Sequence, residues 1–171
     1  MSDSGSESKS AGYNGSCWKQ RLGLIAHPEG GCFSEVFRSK SLVTDSTGAV
    51  KSAITHIYFQ LSPGEVSGFH KVAMDEVWNL YQGKGLELFI WDGEGAVEMI
   101  TLGVEAGAFC HVVRAGQWQA ARPLSDCIEP VLCGCSVGPG FDFADFVLMG
   151  RDDSLAIDLV EQGFGDLVTG I

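Results

Sequence analysis

The chain has 171 residues, a length that suits one domain with one hydrophobic core and does not depend on disulfides or metals for stability. Acidic residues outnumber basic ones by 22 to 11, the formal net charge is -11, and no Lys/Arg run occurs. That balance argues against a nucleic acid or an anionic membrane as partner and favours a small molecule.

Residues 1–14 are rich in Ser and Gly and bury too little apolar surface to order themselves, so they are expected to form a disordered tail ahead of a single domain over 15–171. The N-terminus lacks an apolar core and no membrane-length apolar run follows, which leads to the expectation of a cytoplasmic protein. In such a reducing compartment Cys17, Cys32, Cys110, Cys127, Cys133 and Cys135 are expected as free, mostly buried thiols. Cys133 and Cys135 lack the second pair that a structural zinc site needs.

From Ser16 to Leu24, the residues Cys17, Trp18, Leu22 and Leu24 suit a short amphipathic helix that Gly23 ends. After the block His27-Pro28-Glu29-Gly30-Gly31, residues Cys32 to Ser39 alternate apolar and polar side chains, as a half-buried strand does, with Glu35 and Arg38 on opposite faces. Ser52 to Leu61 is rich in β-branched and aromatic residues and runs into the turn Ser62-Pro63-Gly64. Further strands are predicted over Glu76–Tyr81, Leu86–Trp91, Ala96–Leu102, His111–Val113, Trp118–Ala121, Pro130–Val137 and Asp142–Leu148, with Gly or Pro in nearly every gap. A C-terminal helix is predicted within Asp152–Asp166, capped by Asp152, Asp153 or Ser154. Many short strands with little helical periodicity predict an all-β sandwich or barrel.

The segment Gly64 to Gly83 carries the strongest local signal, because it sets an imidazole, His70, and a carboxylate, Glu76, between two turn glycines. This spacing resembles the first motif of the cupin superfamily: glycine, five residues, His-x-His, three or four residues, glutamate, six residues, glycine. Val72 stands at the second histidine. Arg114-Ala115-Gly116-Gln117-Trp118-Gln119 resembles the second motif, with Gln119 at the position of its histidine. Four ordered blocks also resemble the cupin-5 subgroup. They are His27–Gly31 with Phe33, Glu35 and Arg38-Ser39; Phe69-His70 through Trp78; Ala115–Ala120; and Cys135–Phe146. Cys32 and Asn79 depart from its usual residues.

The resemblance implies a double-stranded β-helix, the cupin jelly-roll, with short N- and C-terminal helices, usually a homodimer, with a pocket between its sheets. Its structural relatives include deoxysugar epimerases and sugar-phosphate isomerases. The expected ligand is therefore a sugar, sugar phosphate or related hydroxy-carbonyl compound, with fold analogy as the warrant. Isomerisation or epimerisation next to a carbonyl needs a base, a returning proton and a donor to the enolate oxygen. His70 and Glu76 are the expected catalytic pair. Tyr81, Gln119 and Arg38 are the candidate donors. Ligand contacts are expected from Arg38, Glu35, Trp78, Trp118, Gln119 and Asp142, since guanidinium forks and aromatic faces commonly line such pockets.

Two other readings stay open: a binding module without catalysis, and a metal-dependent cupin enzyme in which His70, Glu76 and Gln119 hold a divalent ion, with His56 as a further candidate ligand. His27 is read either at the rim of the pocket or packed against Trp18.

Overall fold

The computed structural model describes residues 16–169; the expected tail over 1–14 lies outside them. Helix α1 (Ser16–Arg21) leads into β1 (Ile25–Ala26), β2 (Cys32–Arg38), β3 (Leu42–Thr44), β4 (Val50–Ser52), β5 (Thr55–Leu61) and β6 (Ser67–Val72). Then come β7 (Asp75–Gln82), β8 (Gly85–Trp91), β9 (Glu98–Gly103), β10 (Cys110–Val113), β11 (Trp118–Pro123) and β12 (Val131–Gly138). A 3-10 turn (Phe143–Asp145), β13 (Phe146–Leu148), helix α2 (Ser154–Glu161) and a second 3-10 turn (Gly165–Leu167) complete the chain.

The strands form a six-stranded sheet in the order β1-β2-β5-β12-β7-β10, a five-stranded sheet in the order β13-β6-β11-β8-β9, and the small hairpin β3-β4. Every pairing is antiparallel. Period-two alternation divides each strand's side chains between two faces, and this decides which residues can meet. Phe59, Trp78, Cys133 and Cys135 of the larger sheet pack against Leu86, Leu88, Ile90 and Ala121 of the smaller one, which makes the jelly-roll core. Burying one such large side chain contributes roughly 1.5–3 kcal/mol.

The smaller sheet is buried on its other face too. Phe69, Phe89, Trp91 and Trp118 point away from the larger sheet and are covered by Ala156 and Leu159 of α2 with Leu167 and Val168. Asp153 caps α2 by accepting a hydrogen bond from the Leu155 amide, and Gly163, with φ of 89°, turns the chain after it. Cys32, Cys127, Cys133 and Cys135 are free and buried, and Cys110 is free and exposed.

Three local expectations change. The strand predicted over Asp142–Leu148 is a 3-10 turn followed by β13, because the Asp142 carboxylate accepts the Ala144 amide and draws the chain into a turn. The run Ser52–Leu61 breaks at Ala53 and Ile54, whose backbones bond to Ser41 and Ser39. Glu35 and Arg38 share a face, because a β-bulge between Glu35 and Phe37 adds a residue to β2 and reverses the alternation.

The turn between β1 and β2 presses closely on backbone carbonyls of its neighbours. Gly30 and Gly31 have φ of 112° and 67°. A Cβ on Gly30 would lie 2.0 Å from the Val66 carbonyl oxygen, and one on Gly31 would lie 2.6 Å from that of Gln60. Only glycine satisfies both demands. Gly30→Ala should therefore destabilise the fold by more than about 2 kcal/mol in urea unfolding. Gly116→Ala, at a φ of 79° in open space, should cost only about 1 kcal/mol.

Candidate functional site

A cavity of about 230 Å³ opens between the sheets. Its walls come from β2, β5, β6, β7, β12 and the segment around Phe141–Phe146. His70 and Val72 reach it from β6, Glu76 and Trp78 from β7, and Cys135 and Val137 from β12. The β1–β2 turn adds His27 and Glu29. Phe33, Phe59, Phe141, Phe143 and Phe146 supply aromatic surface, and Glu35, Arg38 and Asp142 supply charge.

Glu29 is the organising group. The glycine turn presses against Val66, the Gly68 amide donates to the Glu29 carbonyl, and the Glu29 side chain is thereby fixed inside the fold, 5% exposed. Ser67 Oγ donates to Oε1 at 2.8 Å, while His27 Nδ1 lies 3.3 Å and His70 Nε2 3.2 Å from Oε2. Burial alone would raise its pKa. The charge of His70 and the hydrogen bonds from His27 and Ser67 outweigh burial and hold the carboxyl below its ordinary range.

His70 is 2% exposed and uses both ring nitrogens. Nδ1 lies 2.8 Å from the Gly68 carbonyl oxygen, which can only accept, so that nitrogen carries a proton. Nε2 faces Glu29, and the ring stacks on Phe146 at 5.4 Å. His27 differs: Nδ1 lies 3.4 Å from the Glu29 amide, which can donate to it, and 3.3 Å from the Glu29 carboxylate, to which a protonated Nδ1 donates, while Nε2 has no partner among the described residues. Its ring is held by Phe33 at 4.6 Å and by Phe143 and Phe146 at 5.8 Å. Of its two expected positions, the pocket is the one found.

Glu76 has the opposite protonation tendency. Burial is the largest influence and pushes its pKa up, aided by the nearby Glu29 charge and opposed by that of His70. A single hydrogen-bond chain fixes its orientation. Trp78 Nε1 donates to Gln119 Oε1 at 2.9 Å, and Gln119 Nε2 donates to Glu76 Oε2 at 2.5 Å. Gln119 sits opposite His70 in the β6–β11 pairing, so it ties the two sheets together at the pocket floor. Cys135 also hydrogen-bonds Glu76, and burial raises its thiol well above the ordinary range, which makes it a neutral donor.

At the mouth, Arg38 makes a two-pronged contact with Glu35 at 3.0 and 2.6 Å and donates to the Phe141 carbonyl at 3.1 Å. The residues expected from sequence therefore separate into groups. His70, Glu76, Trp78, Glu35, Arg38 and Asp142 line the cavity, and Gln119 braces it. Tyr81 does not. It lies on the outer face of β7, where its hydroxyl is 3.2 Å from His56 Nε2 and its ring covers Gly134, because it is an odd number of residues from Glu76. Trp118 likewise points away from Gln119, into the core under α2. His27 and Glu29 were not expected as a pair; the signals were the family block His27–Gly31 and the reading of His27 at the pocket rim.

The donors expected for a metal are already engaged. Both nitrogens of His70 and both amide atoms of Gln119 have partners, and Val72 offers none. His56 belongs to the outer face, bonded to Ser136 and Tyr81. No three His, Cys, Asp or Glu side chains group as ligands among the described residues. This set does not fit a metal ion.

No curated protein matches the chain. Among solved structures, a hypothetical protein from Leishmania major is similar at 26% identity and a TM-score of 0.82, over 92% of this chain and 99% of that one. A protein from Shewanella oneidensis is similar at 29% identity and 0.79, over 91% and 97%. Oxalate decarboxylase from Lactobacillus farciminis aligns at 12% identity and 0.53, over 83% of this chain and 36% of its own, which shows the fold alone. The family model described as "Cupin superfamily (DUF985)" matches residues 17–149. With that match over most of its length and a jelly-roll around the pocket, the chain belongs to this cupin family.

Proposed function

We propose that the cavity is the active site of an isomerase or epimerase acting on a sugar, sugar phosphate or related hydroxy-carbonyl compound. One observation carries this reading: an imidazole braced by a carboxylate whose pKa its partners lower shares a small chamber with a second carboxyl whose pKa burial raises. Two titratable groups driven apart by their surroundings give a base and an acid at one pH.

The base role moves from His70 to His27. A general base needs a free lone pair facing the substrate, and both His70 nitrogens are engaged, whereas His27 Nε2 is open. In the proposed reaction His27 Nε2 takes the proton from the carbon beside the substrate carbonyl. Glu29 holds the resulting imidazolium, as a carboxylate holds histidine in other acid–base sites. Glu76 gives its proton to the carbonyl oxygen as the enolate forms, and reversal of both transfers at the neighbouring carbon completes an isomerisation. His70 balances the Glu29 charge. A cavity of 230 Å³ lies between the roughly 150 Å³ that accepts benzene and the roughly 300 Å³ at which drug-sized pockets begin, a range suited to a small sugar.

The outer face of the larger sheet exposes Phe37, Tyr81 and Val112 beside His56. We propose that two copies abut there, which light scattering of the purified chain tests as a doubled mass.

Proton transfer is tested by incubating the protein in D2O with a panel of free pentoses and hexoses and reading carbon-bound deuterium by NMR. The wild type should incorporate deuterium, and His27→Gln should slow incorporation by at least about 100-fold while its circular dichroism is unchanged. A rise in melting temperature with ligand but no deuterium at carbon would leave a binding module instead.

The protonation states give opposite pH signatures. The Glu76 pKa is raised above its ordinary 4.5, so its favourable contribution is full below that value and is lost as pH rises through the folded pKa. Glu76→Gln should therefore gain stability relative to wild type as pH goes from about 5 to about 8. Glu29 is lowered, so its contribution is present above 4.5 and is lost as pH falls through the folded pKa. Glu29→Gln should cost most at neutral pH and least in acid, in urea unfolding at each pH.

A further inference from the structure

We propose that the site selects an uncharged ligand, a free sugar rather than a sugar phosphate. This rests on the acid–base reading and narrows its substrate class. The argument is the charge pairing around the cavity. An anionic ligand needs a cation with donors to spare, because a phosphate that loses its water must recover several charge-assisted hydrogen bonds.

Among the described residues, Arg38, Lys51 and His70 each already face a carboxylate, and His27 shares Glu29 with His70. Arg38 presents Nε and Nη2 to Glu35 and Nη1 to the Phe141 carbonyl. Its guanidinium fork, the group best shaped for a phosphate, is thus closed by a carboxylate of its own strand. Lys51, on β4 behind the Phe141–Phe146 segment, is held by Asp145 at 2.5 Å. His70 is held by Glu29 at 3.2 Å.

Each positive group therefore already faces one acid, and Asp142 is an additional negative charge on the cavity wall whose field reaches both Arg38 and Lys51. An incoming phosphate would meet Glu35 and Asp142 at the mouth and Glu29 inside. Two close anions in a poorly solvated space repel strongly. Breaking the Arg38–Glu35 contact to free the fork would leave Glu35 facing that phosphate. A hydroxyl meets no such barrier. It donates to Glu35 or Asp142 without disturbing any pair. The aromatic wall of Phe33, Phe141 and Phe143 suits the C–H face of a sugar ring.

The test uses D-ribose, D-ribose 5-phosphate and inorganic phosphate in isothermal titration of the full chain, wild type and Glu35→Gln. Wild type should bind D-ribose at least about tenfold more tightly than D-ribose 5-phosphate and should give no heat with phosphate, tenfold being near the scale of one charge-assisted hydrogen bond. Glu35→Gln opens the Arg38 fork and should raise affinity for D-ribose 5-phosphate about tenfold or more. Equal or tighter binding of the phosphorylated sugar by the wild type overturns the inference, as does an unchanged preference in Glu35→Gln. No heat from any probe overturns the free-sugar assignment as well. The two readings fail separately. Deuterium incorporation into a bound sugar phosphate would leave the acid–base chemistry standing and remove this inference, and D-ribose binding without incorporation would do the reverse.

Discussion

One carboxylate between two imidazoles, deep in a β-container, is the constraint on which the pocket depends. An isolated ion at that depth would neutralise itself by shifting its pKa. Glu29 stays ionised because His70, His27 and Ser67 all converge on it. Those contacts fix the neighbours in turn: His70 is pinned between Glu29 and the Gly68 carbonyl, and His27 keeps one nitrogen towards the cavity. Removing one partner from such a cluster costs more than the pairwise contact, since the remaining buried groups are left unmatched.

The two sheets serve this cluster unequally. The smaller sheet, buried on both sides, is the rigid member: α2 seals one face while His70 and Gln119 project from the other. The larger sheet contributes the acid, Glu76, and the Glu35–Arg38 pair at the mouth. Gln119 joins the two through Trp78 and Glu76, and every one of its amide contacts is specified by the donor or acceptor opposite. A single amide thus sets both the orientation of the acid and the registration of one wall on the other.

Much of this was readable from residue order. Alternation located most strands within a residue or two, and the spacing Gly64, His70, Glu76, Gly83 placed an imidazole and a carboxylate in one cavity. Parity alone also separates Tyr81 from Glu76 and Trp118 from Gln119, though attention to chemical type concealed it. Other features were not legible. His27 and Glu29 reach the interior because a glycine pair packs against carbonyls of Gln60 and Val66, contacts between segments distant in the chain. A turn's sequence does not reveal what its backbone will touch. The bulge in β2 has no residue signature either, so Arg38 appeared on the wrong face.

That bulge sets what sort of evolution this fold permits. An extra residue between Glu35 and Phe37 leaves a guanidinium on the same face as the acid three positions earlier, which closes it. Loss of a single codon there would remove the bulge and keep Arg38 opposite Thr55 on that face, leaving the acid cluster untouched. The length of this strand can therefore drift by one residue without turning the charged pair at the mouth away from the cavity.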